Sequence, residues 1–224
     1  MRPAWHKRLT LTALLALFIV CLLAGRIWYV NAHAQTIPSN TAKLGDSVPL
    51  EGAFAEYAYE NTGGYLVKAT KAERMSINEY IDLYSAGQSV LTDYLSNEHY
   101  TTDRDLKTLL VVDLEIQNNK TADDDRGYLN SIGWSVKSAA APEIWIRTES
   151  TLLESSIPQA EGAFQLSIKP GTTYTVHVPF SGIMRHSPFP ASDYDAILPE
   201  LVHGQYSLVL TKGKVKNVLD LGAI

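Results

Sequence analysis

The side chains with the most chemical potential per residue fall in one stretch, Ser181 to His203, which carries His186, Asp193, Asp195 and His203. Imidazole nitrogen and carboxylate oxygen together suit zinc or copper, or a small polar ligand. Pro188, Pro190 and Pro199 stiffen the stretch, and Phe189 and Tyr194 give it apolar handles. Long loops on rigid scaffolds are where binding sites concentrate, although a surface crossover between two sheets has the same composition.

Asp123, Asp124 and Asp125 offer hard oxygen ligands. Their spacing lacks the glycine and distal glutamate of a calcium loop, so a solvated hairpin loop is expected. Asn119-Lys120-Thr121 formally matches a glycosylation acceptor. Of the remaining histidines, His6 and His33 belong to the N-terminal segment, and His99 and His177 have no histidine partner at helical spacing.

No serine sits in a nucleophile-elbow pattern, and no glycine loop of phosphate-cradling type occurs. Trp134 and Trp145 lie on expected strands and read as core or sheet-face fillers. An exposed Trp145 beside other aromatics such as Tyr128 would instead make a carbohydrate platform worth testing. No catalytic, cofactor-binding or metal-ligating residue is assigned from these patterns.

The elements that must position these residues are mostly strands. Phe164, Leu166 and Ile168 alternate with polar residues, as do Tyr174, Val176, Val178 and Phe180. Between them Pro170-Gly171 presets a type II turn. Leu110, Val112, Leu114 and Ile116 form another inward row, and interleaved Leu109 and Val111 imply that its first half is covered on both faces. Tyr206, Leu208 and Leu210, then Val215 to Leu221, continue the pattern.

Weaker strands are expected at Val48 to Phe54, Tyr65 to Lys71, Asn130 to Lys137 and Glu143 to Arg147. Ser76 and Glu79 form a capping box ahead of Ile77, Tyr80, Ile81 and Tyr84, which places one short helix ending near Gly87 across an edge or end of the sheets. The fold class is therefore mainly β, an antiparallel sandwich with one short inserted helix.

Residues 1–8 form a basic tip with Arg2, Lys7 and Arg8, followed by an uncharged run from Leu9 to Gly25. Extended by Arg26, whose stem can snorkel, and by interfacial Trp28 and Tyr29, residues 9–30 read as a transmembrane signal anchor. The positive-inside rule puts the N-terminus in the cytoplasm and the bulk of the chain outside the cell membrane. Ala32-His33-Ala34 also fits a signal-peptidase site, which would release the protein after residue 34.

Residues 31–45 are polar and small and read as a stalk, leaving 46–224 as one extracytoplasmic domain. Cys21, the single cysteine, lies in the apolar run, so the domain has no disulfide. With Arg2, Lys7, Arg8 and Arg26 set aside from 19 basic residues, 15 face 24 acidic ones, a formal charge of −9 beyond Ala34. Such a surface repels nucleic acid and anionic lipid, so the lipid bilayer is engaged through the N-terminal helix alone, and no nucleic-acid partner is expected.

The single N-terminal span, Leu50-Glu51-Gly52-Ala53-Phe54, Glu60-Asn61-Thr62-Gly63-Gly64-Tyr65, the Leu110 to Asn118 strand closing on Asn119, and Pro170-Gly171 resemble uncharacterised exported bacterial domains of unknown function. Members look like immunoglobulin-like sandwiches similar to telokin-like extracellular domains. The resemblance implies a fold and a cell-envelope location but no catalytic residue, and the paired cysteines of antibody-type domains are missing here.

Together these readings predict a non-catalytic binding or structural module of the envelope, with no cofactor and an unidentified envelope protein or ligand as partner. The alternative is a metal or small-ligand binding protein using the 181–203 loop.

Overall fold

The computed structural model describes residues 4–34, 37–50, 61–85, 108–121, 129–140, 144–157, 165–185 and 204–224. The chain forms two compact units, Met1–Thr36 and Ile37–Ile224.

The first unit is helix α1 (Ala4–Ala32), which runs without a break through Arg26, Trp28 and Tyr29. Ala13–Ala32 is long and apolar enough to cross a membrane, and none of it is buried within the protein. His33 closes it, with Nδ1 2.8 Å from the Tyr29 carbonyl and its ring stacked on Tyr29 at 4.1 Å.

The second unit is mainly β. Its strands are β1 (Ser39–Lys43), β2 (Ser47–Pro49), β3 (Tyr65–Ser76), β4 (Thr108–Asn118), β5 (Leu129–Asn130), β6 (Ser135–Ser138), β7 (Ile144–Thr148), β8 (Gln165–Leu166), β9 (Thr173–Arg185), β10 (Gln205–Val209) and β11 (Lys216–Ala223). Nine of them join in the order β1-β11-β10-β6-β7-β9-β4-β3-β2, and β5 pairs with β8 in a separate ribbon. All described pairings are antiparallel except β1 with β11.

This long sheet rolls onto itself. Inward residues from both ends of the order, Val48 and Val67 at one and Leu219 and Leu221 at the other, share one core with Trp134, Val136 and Phe180. Two connections make the roll. β9 pairs with β4 through Thr173–Phe180 and with β7 through Phe180–Arg185, so a single strand serves both layers. At the other end β1 and β2, adjacent in the chain and last in opposite directions of the order, are joined by Leu44–Asp46. There the Leu44 N–H donates to the Asp220 carbonyl at 2.8 Å and the Gly45 N–H to that of Ala69 at 2.8 Å. Gly45 has φ +92°, open to glycine without a Cβ penalty.

The arrangement is compatible with the expected β-sandwich, and the strand order does not by itself make it immunoglobulin-like. Ser39–Lys43, inside the segment read as a stalk, is a correction: it is β1, paired residue for residue with Lys216–Asp220. Its small polar residues hide the signal because only backbone pairing holds it, and its side chains are half-buried at most.

Helix α2 (Ile77–Tyr84) has the expected capping box: the Glu79 N–H donates to Ser76 Oγ at 3.2 Å and the Ser76 N–H to Glu79 Oε2 at 2.6 Å. It covers a sheet face rather than an edge. Ile77 and Tyr80 pack with Met75, Leu109 and Val111, the outward residues of β3 and β4. This explains why β4 is apolar on both sides in its first half: Leu109 to Val112 are all buried, two toward the core and two toward α2.

A further helix, α3 (Ser150–Ser156), was not expected. Glu149 at its N-cap makes no side-chain capping hydrogen bond to the helix, and the helix's apolar positions are too few for a visible period. It places Leu152 in the outer cluster and Leu153 in the main core.

The Pro170-Gly171 turn forms, with Gly171 at φ +73°. Among the described residues the strand before it is Gln165–Leu166, and it pairs with β5. Asn118, buried at the end of β4, holds the turn instead: its Nδ2 donates to the Ile168 carbonyl at 2.7 Å, and its backbone exchanges bonds with Gly171 and Thr172 at 2.8 and 3.0 Å.

Candidate functional site

Two clusters of polar and aromatic side chains stand on the outer faces of the rolled sheet. The first lies under α2. His177 on β9 and Asp113 on β4 are register partners, and their Nδ1 and Oδ1 atoms are 2.7 Å apart. Tyr84 stacks on the imidazole with centroids 4.0 Å apart and planes 15° from parallel. Tyr80 Oη donates to the His177 carbonyl at 2.7 Å.

Burial pushes the Tyr80 phenol well above its ordinary range, more than the nearby Ser156 hydroxyl lowers it. Burial first, then the Asp113 and Glu73 carboxylates, also raise Tyr84. Lys71 pairs with Glu73, which raises the ammonium's pKa. A carboxylate orienting an imidazole is half of a nucleophile-activating relay. Here both tyrosines keep their protons and the ring is covered by Tyr84. Among the described residues an aliphatic hydroxyl beside the pair, Thr70 Oγ1, is turned to the backbone and donates to the Asp113 carbonyl at 3.2 Å. The cluster fits a polar clamp that pins α2 onto β9.

The second cluster surrounds Trp145. On β7, Ile146 points into the core, so Trp145 and Arg147 face outward. Lys137 on β6 is the register partner of Trp145, and Ser135 that of Arg147. Lys137 Nζ lies 3.6 Å from the indole centroid and Lys212 Nζ, just beyond β10, 3.5 Å from it. Each ammonium gains from the ring's negative face.

Both are nevertheless disfavoured as cations. Burial, then Lys137, Arg147 and Lys216, bring Lys212 down to about 8. Burial, then Lys216, also lowers Lys137. Two ammoniums thus sit against one half-buried indole, with Arg147 and Lys216 near enough for their charges to act on Lys212, in a unit whose sequence is strongly acidic. Beneath them the Ser135 hydroxyl is buried and has no hydrogen-bond partner. The arrangement can attract an anion and can stack against an apolar group.

Of the residues singled out from sequence, Trp134 is in the core as expected, 2% exposed, and Trp145 is the half-exposed one. Among the described residues two lysines stand against its ring. His99, Tyr128, Asp123 to Asp125, and His186, Asp193, Asp195 and His203 lie outside the described residues. Ser181–Arg185, assigned to the long loop, continue β9. No group of three or more metal-binding side chains occurs among the described residues. Lys137, Lys212 and Arg147 were missed because three cations spread over 76 residues show no pattern until β6, β7 and the end of β10 lie side by side.

Fold and site together define a rolled β domain with a cationic aromatic face, preceded in the chain by an apolar helix. The chain belongs to the family described as Domain of unknown function (DUF5028), whose profile matches residues 40–216. The match starts within β1, so α1 lies outside it. No curated protein and no solved structure matches the chain.

Proposed function

We propose that this protein is a single-pass membrane-tethered module of the cell envelope that works by binding and not by catalysis. Its N-terminus is cytoplasmic, α1 spans the cell membrane, and the β domain, immunoglobulin-like and telokin-like in kind, stands outside. The observation that carries the binding role is the Trp145 face. Like charges held together at the expense of solvation are a feature that a merely soluble surface disperses, and proteins keep such conflicts where they have a use. The location is supported by the exposed apolar helix behind a basic tip.

The test uses intact cells. A photo-crosslinking residue in place of Ala139, exposed two positions beyond Lys137, is expected to capture an envelope component, and external protease is expected to remove the β domain. A domain cut only after lysis sinks the location. An intact N-terminus by mass spectrometry supports the tether, whereas a chain starting at Gln35 replaces it with secretion.

A further inference from the structure

We infer that the Trp145 face is a phosphate-binding site: Lys137, Arg147, Lys212 and Lys216 together receive a multiply charged phosphate group. The inference rests on the binding role proposed above and specifies its ligand. Three observations converge on it.

The two lysine ammoniums approach one indole to 3.6 and 3.5 Å, so both are held by the ring instead of dispersing into solvent. The sites of Arg147 and Lys216 lie on β7 and at the start of β11, close enough for their charges to act on Lys212.

Charge matching selects the ligand class. A carboxylate brings one negative charge and leaves most of the cluster uncompensated. A phosphate monoester or a pyrophosphate brings two or more in one compact group, with tetrahedrally placed oxygens for several donors. Arg147 supplies the planar fork for two oxygens and the lysines supply point charges. Partial burial of Lys212 strengthens each of these attractions relative to open water.

The site is bounded on one side. Continuing the row Trp145, Lys137, Ser207 across the sheet leads to Asp220, whose carboxylate accepts the Gly222 N–H at 3.1 Å. A negative group there restricts the anion to the Lys212 side of Lys137.

The phosphate could reach this face as part of a soluble or polymeric envelope phosphate or as a lipid headgroup. The net charge of −9 beyond Ala34 disfavours broad contact with an anionic bilayer. Both sources share the chemistry and are separable by experiment.

The full-length protein in phosphatidylcholine nanodiscs is titrated with inorganic pyrophosphate and with polyphosphate, at ionic strength held constant with sodium chloride, and followed by calorimetry. Saturable binding is expected, weakened tenfold or more in a K137Q/K212Q variant and in R147Q, and unchanged in K169Q on the remote turn. Equal affinity in the double variant and the parent, or no binding beyond that of chloride, overturns the inference; circular dichroism confirms that the variants fold. Polygalacturonate bound as tightly as polyphosphate of equal charge also overturns the phosphate assignment while leaving the binding role intact. In discs containing phosphatidic acid, whose headgroup is a phosphate monoester, weaker pyrophosphate binding through competition assigns the phosphate to lipid headgroups, and unchanged binding assigns it to a soluble or polymeric source.

Discussion

At Lys212, burial and three neighbouring cations oppose the charged form, and the sign of the consequence follows from linkage. The folded-state value of about 8 lies below the ordinary 10.5, so between these pH values the unfolded chain binds more protons than the folded one. Stability is therefore reduced below pH 8 and recovers as the pH rises toward 10.5. Lys212→Met is expected to raise the unfolding free energy at pH 7 by about 1 kcal/mol, a figure discounted for solvent screening of a group that is only partly buried, and to flatten the rise above pH 8. Urea melts at pH 7 and pH 9.5 check both; a destabilised variant at pH 7 would mean that the indole contact outweighs the repulsion. Asn118 is the opposite case, a buried side chain with its polar groups bonded at 2.7 and 3.0 Å. Asn118→Ala is expected to cost about 1–3 kcal/mol, because the Ile168 carbonyl and the Lys120 N–H lose their partner. Chemical denaturation measures the loss.

Among the elements, α2 is held by its cap and by its apolar face, and the two contributions separate by mutation. Ser76→Ala removes the hydroxyl that accepts the Glu79 N–H and is expected to cost about 1 kcal/mol. Leu109→Ala empties a fully buried position between β4 and the helices and is expected to cost about 2–5 kcal/mol. Thermal melts rank the two, and a cap loss as large as the core loss would contradict the assigned packing. Hydrogen exchange at α2 after Tyr84→Ala tests the clamp on His177: faster exchange confined to the helix is expected, with β4 and β9 unchanged. α2 was readable from sequence because Ser76, Glu79 and the apolar positions after them act over one or two turns. α3 was not, since its seven residues are helical by virtue of the two clusters that receive Leu152 and Leu153.

For the whole molecule, β1 closes the roll by pairing in parallel with β11, so a chain lacking residues 37–43 leaves β11 as an open edge. Loss of cooperativity in urea and a tendency to associate are expected, read by melts and light scattering; an unaltered monomeric transition would make β1 dispensable. By itself the sequence determined what acts locally: the apolar span, the alternating strands, the capping box, the Pro170-Gly171 turn and the acidic balance of the chain beyond Ala34. Each is set by a residue's own preference or by a neighbour a few positions away, which any chain of that composition obeys. Only the tertiary structure decided that Ser39–Lys43 is a strand, that β9 serves two layers, that Asn118 holds a turn fifty residues on, and that Lys137 and Lys212 meet at Trp145 with Arg147 and Lys216 nearby. Those facts depend on which backbones lie about 5 Å apart across the sheet, and strand pairing over separations from 8 to 177 residues leaves no periodic trace in the chain.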